Sequence, residues 1–184
     1  VNSDEKQGSI TVSGHTITAR NPVHRIYQGR GESAGFSGWF AITFAKPFDV
    51  IHNEAGSQYM TISFGQETSV TASIGSSFTG AGAALANLRA EIPAADFEKL
   101  RKETEDVWNK TLGKIKVKGG TEEDLVKFYT ALYHCYQLPR IASDVDGSYT
   151  GFAEDDKIHK AEGFDYYDDF SMWDTYRALH PLMT

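Results

Sequence analysis

Two short stretches of this chain carry side chains of the kind that do chemistry. Ser143-Asp144-Val145-Asp146-Gly147-Ser148-Tyr149 puts two carboxylates two residues apart beside a glycine, and Trp173-Asp174-Thr175-Tyr176-Arg177 sets an acid between aromatic rings and a guanidinium. Acids next to rings suit sugars. Carboxylates accept hydrogen bonds from hydroxyls, and an aromatic face stacks on the apolar C–H face of a pyranose. Residues 141–174 hold ten acids against two bases, a local charge of −8 within a net charge of −7, so the rest of the chain carries only +1. The same stretch carries Tyr149, Phe152, Phe164, Tyr166, Tyr167, Phe170 and Trp173.

Both motifs also have plainer readings that the residues leave open. An EF-hand loop with Gly147 at its sixth position would need acids where Ala142 stands and a glutamate where Ala153 stands, so calcium of that kind is excluded. Asp146-Gly147 then reads as a turn in which Asp144 and Asp146 bond nearby amides. As a glycosidase pair the two acids are poor candidates, because catalytic carboxyls sit about 5–9.5 Å apart across a sugar. In the second motif, Asp174 is placed to reach back to the Ser171 amide as in a capping box, and Arg177 to pair with it at i+3. An acidic stretch can also be simply a solvated loop.

Other chemistries find no support. The six histidines show no metal-ligand spacing, and no metal ligand set emerges from the residues. GRGESAG at 29–35 lies among strands without a following helix, which argues against a phosphate cradle, and no serine nucleophile elbow is present. The single cysteine, Cys135, excludes a disulfide framework and a Cys-rich zinc site. An acidic chain without a basic stripe is no nucleic-acid binder. Apolar runs of a few residues make neither a membrane span nor a signal-peptide core.

The elements that must position these motifs fall into three zones, and the 40% hydrophobic content of the 184 residues is enough for a packed core. Residues 1–92 read as strands: ITVSGHTITA as a hairpin about Ser13-Gly14, then GWFAITFAKPF with Phe40, Ile42 and Phe44 on one face, then YMTISFG and SVTASIGSSF. Residues 93–120 read as a linker helix and connection, with Phe97, Leu100, Val107, Trp108 and Leu112 at helical spacing and Gly113 as the stop. Residues 121–184 open with Thr121 as N-cap and Asp124 at the third position of an aromatic helix that Pro139 ends. A long acidic loop follows at 140–169, and then a helix is predicted from Ser171. The fold class is α+β: part of a β-sandwich, a linker helix, and the first helices of a larger helical array.

Taken together and in order, these segments resemble glycoside hydrolase family 92, the calcium-dependent exo-acting α-mannosidases. The resemblance rests on GWFAITFAKPF, on VTASIGSSFTGAGAALANLRAEIPAADFEKLRKETEDVWNKTLGKI with its Ala-x-x-Asn-Leu turn, and on FYTALYH, SDVDGSY and WDTYRALHPL. It implies the end of a β-sandwich followed by the start of an (α/α)6 barrel, with the sugar site between them. It also implies hydrolysis of terminal α-mannosides, mostly α-1,2, with inversion and with calcium at the mannose hydroxyls. The family's WDT aspartate lines the terminal-mannose subsite, which carries that role to Asp174 and, beside it, Trp173. Asp144, Asp146 and Arg177 are further candidates for substrate contact.

The resemblance implies as well that the general acid, the Asp-x-Asp base and most calcium ligands fall beyond the position matching Thr184, and most of the sandwich before Val1. The expected partners are a mannose-containing glycan and the remainder of the same polypeptide, with no catalytic residue in this segment and no activity in isolation. Export by a bacterium, to the periplasm, the cell surface or the medium, is the expected location. The alternatives are a non-catalytic carbohydrate-binding or interaction module, and another enzyme of the same architecture such as a disaccharide phosphorylase.

Overall fold

The computed structural model describes residues 8–24, 33–52, 59–151, 155, 157–169 and 171–184. They form two compact units, one from residues 1–95 and 142–166, the other from residues 96–141 and 167–184. These units cut across the zones read from the sequence. The acidic stretch 142–166, expected to go with the helices, joins the strands instead.

In the first unit, strands β1 (Ser9–Ser13), β2 (Thr16–His24) and β3 (Ser33–Phe44) form an antiparallel sheet with β6 (Ala72–Ser77), in the order β1-β2-β3-β6. Strands β4 (Asp49–His52) and β5 (Thr61–Ser63) make a separate antiparallel ribbon. The hairpin turn expected about Ser13-Gly14 is Gly14-His15, since Ser13 pairs with Thr16. Pro22, which lacks an N–H for a ladder, lies in β2 past the end of its pairing with β1, where the register with β3 is irregular.

Helix α1 (Ala81–Glu91) corrects the all-strand reading of residues 1–92. Its sequence hides it: Gly80 stands at the N-cap without a side-chain cap, and the first turns are alanine, glycine and leucine without a clean stripe. The helix packs on the sheet through Ala84 and Leu88, which form a buried cluster with the fully buried Ala41, while Trp39, Leu85 and Ile92 close its rim. Gly75 pairs with Ala41 on that face. A Cβ at Gly75 would lie 2.6 Å from the Ala84 carbonyl oxygen and 2.8 Å from the Leu88 nitrogen, so only glycine lets the helix backbone come this close. The opposite face carries Phe40, Ile42 and Phe44, and Phe44 meets Phe48 and Phe64 with ring centroids 5.3 and 5.1 Å away. The expected phenylalanine face is therefore real, but the deepest burial lies on the small-residue face, at Ala41 against Ala84.

The second unit holds helix α2 (Phe97–Leu112), started by Asp96 accepting from the Lys99 amide at 3.0 Å and ended at Gly113. Helix α3 (Glu122–Cys135) begins with the capping box its sequence predicts. The Asp124 amide donates to Thr121 Oγ1 at 3.2 Å, and the Thr121 amide donates to Asp124 Oδ2 at 2.9 Å. That reciprocal bonding holds the Asp124 carboxyl below its usual range. Trp108 of α2 packs on Tyr133 of α3 at 4.6 Å between centroids, and Tyr129 Oη donates to the Ile115 carbonyl at 3.1 Å. Strand β7 (Arg140–Ile141) follows α3. After the loop described below come β10 (Tyr167–Asp168), paired with β7, and two short helices, α4 (Met172–Thr175) and α5 (Leu179–Met183). The single helix predicted from Ser171 is thus broken. Pro181 has no N–H to give the Arg177 carbonyl, and its ring crowds that carbonyl and constrains His180, so one helix cannot run through 177–181.

Candidate functional site

Between Ala142 and Tyr166 the chain leaves and returns through a closed neck. The amides of Ala142 and Ser143 donate to the Tyr166 carbonyl at 2.8 and 3.3 Å, and the Tyr166 amide donates to Ser143 Oγ at 3.1 Å. Inside the neck, strands β8 (Ser148–Thr150) and β9 (Ile158–Lys160) pair as a hairpin. A turn precedes β8, closed by Gly147 N–H on the Asp144 carbonyl at 2.7 Å and Asp144 N–H on the Ser148 carbonyl at 2.8 Å. Gly147 has a φ of 84° and a would-be Cβ 2.6 Å from the Ala161 carbonyl oxygen, so the turn demands glycine twice over.

The two acids of the turn have separate fates. Asp144 is only 7% exposed, and its carboxylate is engaged on both oxygens. Ser77 Oγ donates to Oδ2 at 2.9 Å, Thr79 Oγ1 donates to the same oxygen, and Asn87 Nδ2 donates to Oδ1 at 2.7 Å. Asn87, on α1, also donates to the Ser76 carbonyl at 2.8 Å and accepts from the Val145 amide at 2.9 Å. Asp146 is exposed. Lys160 Nζ lies 2.8 Å from its Oδ2, while the Ser148 amide and hydroxyl donate to its two oxygens at 2.9 and 3.0 Å. The Lys160 contact, with the Ser148 donors behind it, holds the Asp146 carboxyl down to about 2.

The two tyrosines of the loop are committed to each other. Tyr149 stacks on Tyr166 at 4.0 Å between centroids and on His159 at 5.5 Å. His159 Nε2 meets Asp155 Oδ2 at 2.7 Å. The Lys157 amide, followed by the His159 ring, holds the Asp155 carboxyl below its usual range. Tyr149 thus already has two stacked ring partners within the loop.

The second motif stands in the open. Trp173 is 85% exposed, with Met172, Asp174, Tyr176 and Arg177 exposed around it. The capping box expected here is not formed. Ser171 Oγ donates to Asp174 Oδ2 at 2.6 Å, in place of the Ser171 amide, and the Asp174 amide donates to the Ser171 carbonyl at 2.9 Å. Arg177, expected on Asp174, donates instead to Tyr176 Oη at 3.2 Å and lies over the Tyr176 ring, 5.8 Å from its centroid. In the same unit a largely apolar cavity of about 590 Å³ is lined by Tyr136, Leu138, Pro139, Tyr167, His180 and Met183.

The structure therefore places Asp144 and Asp146 in the first unit and Trp173, Asp174 and Arg177 in the second. Sequence reasoning missed Ser77, Thr79 and Asn87, the partners of Asp144. The Asn87 contact spans 57 residues and leaves no periodic trace, though Asn87 does belong to the Ala-x-x-Asn-Leu segment. That segment is helix rather than turn. Among the described residues no group of three or more His, Cys, Asp or Glu gathers where it could hold a metal ion.

Comparison with known proteins bears on what these motifs serve. An "Uncharacterized secreted glycosidase" of Arthroderma benhamiae is 34% identical over 106 residues, which are 54% of this chain and 14% of that protein. The fold matches that of a family GH92 inverting mannosidase from Bacteroides thetaiotaomicron, with a TM-score of 0.76 at 24% identity over 96% of this chain. It also matches a second GH92 glycosyl hydrolase, with a TM-score of 0.69 at 22% identity over 91% of this chain. The chain spans 26% and 24% of those two structures, so it corresponds to about a quarter of each. The model of the glycosyl hydrolase family 92 catalytic domain matches residues 83–184, from α1 through the WDTYR motif. More than half of the chain lies within that match, and the chain belongs to glycosyl hydrolase family 92.

Proposed function

We propose that this chain is part of an exo-acting α-mannosidase that removes terminal mannose, α-1,2-linked, from glycans with inversion. The observation that carries the reading is the family match through Trp173 and Asp174. They stand in the open, an 85% exposed indole next to an exposed carboxylate, as a sugar-binding pair requires. Trp173 offers a ring face to the sugar and Asp174 accepts from its hydroxyls, with the Ser171 hydroxyl fixing the carboxylate rotamer. Inversion calls for a carboxylic acid on the leaving oxygen and a carboxylate that activates water on the opposite face, about 6.5–9.5 Å apart. Asp144 and Asp146 do not supply that pair. One is bonded to Ser77, Thr79 and Asn87, the other to Lys160 and Ser148. The acid and base are assigned to parts of the complete enzyme outside this segment.

Calcium belongs to the same proposal. When bound, it would supply positive charge at the sugar hydroxyls. The described residues do not fit that ion. They gather no set of three ligands, and both oxygens of the one buried acid of the SDVDG turn already accept hydrogen bonds. No ligand is assigned here. A relative described as secreted supports export, and among the described residues no helix is long and apolar enough to cross a membrane.

The test compares purified residues 1–184 with a polypeptide that continues past Thr184 on α-1,2-mannobiose, with calcium and with chelator. Mannose release by the longer polypeptide alone, lost in Trp173→Ala and Asp174→Asn, is the expected result. Calcium-dependent release by residues 1–184 would overturn the assignment of acid and base. Mannose binding without hydrolysis by the longer polypeptide would favour a carbohydrate-binding module.

A further inference from the structure

We propose that Asp144 and Asn87 are positioning residues that seat the loop 142–166 on the sheet unit, so that the SDVDG turn acts through its geometry and not through the charge of its first acid. Asp144 is one of three buried polar residues among those described, and the only carboxylate among them. A buried carboxylate is stable only when its lone pairs are met, and here three side chains from β6, the residues after it, and α1 meet them. Two of the three donors are themselves held. Ser77 Oγ accepts from the Thr79 amide at 2.9 Å, and Asn87 Nδ2 is shared with the Ser76 carbonyl at 2.8 Å. Asn87 grips the loop at two successive residues, donating a hydrogen bond from Nδ2 to Asp144 Oδ1 and accepting one at Oδ1 from the Val145 amide, as a strand backbone would.

The consequence runs outward along the turn. With Asp144 and Val145 fixed, the Gly147 and Ser148 bonds set the direction of β8. Pairing of Ser148 with Lys160 then brings Lys160 to Asp146, and pairing of Tyr149 with His159 builds the ring stack. The exposed edge of the loop is thus placed by a carboxylate that touches none of it.

Hydrogen exchange on the 184-residue chain tests the seating without need of activity. Asn87→Ala is expected to speed exchange at Val145 and through 157–166 while β1–β3 keep their protection, and Asp144→Ala to do the same more strongly. Asp144→Asn keeps the shape and one acceptor, and the Ser77 and Thr79 hydroxyls can turn to accept from its amide, so it should stay near the parent. Unchanged exchange in Asn87→Ala overturns the proposal. A second arm rests on the mannosidase reading and uses the complete enzyme. There Asn87→Ala should lower kcat/KM by about tenfold or more, the scale of a small misplacement of reacting groups, with Asp144→Asn within about threefold of the parent. If Asp144→Asn is as damaged as Asp144→Ala while Asn87→Ala is normal, the charge itself is needed and the proposal fails. A parent enzyme inert on mannosides sinks the mannosidase reading, and the exchange result then decides the seating by itself.

Discussion

The loop 142–166 and the C-terminal segment 171–184 share their ingredients, acids set among aromatic rings, and the structure uses them in opposite ways. In the loop one acid and the tyrosines are turned on the protein: Asp144 into Ser77, Thr79 and Asn87, Tyr149 into Tyr166 and His159. In the C-terminal segment the largest ring is 85% exposed, and the acid beside it bonds only to its own neighbouring serine among the contacts described. Composition alone marks both stretches as sugar sites. What separates them is whether a carboxylate's hydrogen-bonding capacity and a ring's faces are already filled, and that depends on residues far away in sequence.

Removing Asp144 should do the most to break the contrast. Asp144→Ala leaves the Ser77 and Thr79 hydroxyls and the Asn87 amide without their acceptor and should destabilise the sheet unit by about 3 kcal/mol, measured by urea unfolding. Next come two glycines of the same loop. Gly147→Ala combines a left-handed backbone with a clash on the Ala161 carbonyl, whereas Gly163 has a φ of 80° and open space around its would-be Cβ. The first substitution should cost about 2–3 kcal/mol and the second about 1 kcal/mol. Equal costs would show that the close approach at Gly147 is not tight.

Smaller still is the effect of Asp146. Its folded carboxyl titrates below the ordinary 3.8, at about 2, so its contacts favour the folded state above that ordinary value and are lost as pH falls toward 2. Lys160→Met should raise the Asp146 midpoint toward 3.8 in an NMR titration. Trp173→Ala should alter stability by under about 0.5 kcal/mol, because a side chain this exposed leaves no cavity. In the complete enzyme the same change should abolish mannoside turnover. A large stability loss would place Trp173 with the structural residues of the loop.

The parts of the fold that could be read from sequence are those with local signatures. Thr121 with Asp124 announces α3 through a capping box, and the spacing of Phe97, Leu100, Trp108 and Leu112 announces α2. Alternation marks β3, and Gly-containing turns mark its neighbours. Helix α1 escaped because its start has no side-chain cap and because its contact with the sheet is made by Ala41, Gly75 and Ala84, residues too small to show a hydrophobic pattern. The break after α4 was written in Pro181, which the helical reading of WDTYRALHPL overlooked. The aromatic and acidic motifs were visible as sequence, and Trp173 and Asp174 do lie exposed. Which acid faces inward was not visible, because the deciding contacts join residues 57 to 67 positions apart.

That separation also has a meaning in time. Ser77 and Asp144 bracket the whole stretch Asp96–Ile141, which belongs to the other unit. A ribosome adding about 5–20 residues per second needs roughly 3–13 s to pass from one partner to the other. Until the end of that interval Ser77, and Asn87 once it is made, lack their Asp144 partner, and α2 and α3 are made before the sheet unit can finish. The order of synthesis is therefore strands, helices, then the segment that completes the strands, and a nascent chain halted before residue 144 carries an open sheet unit beside two finished helices.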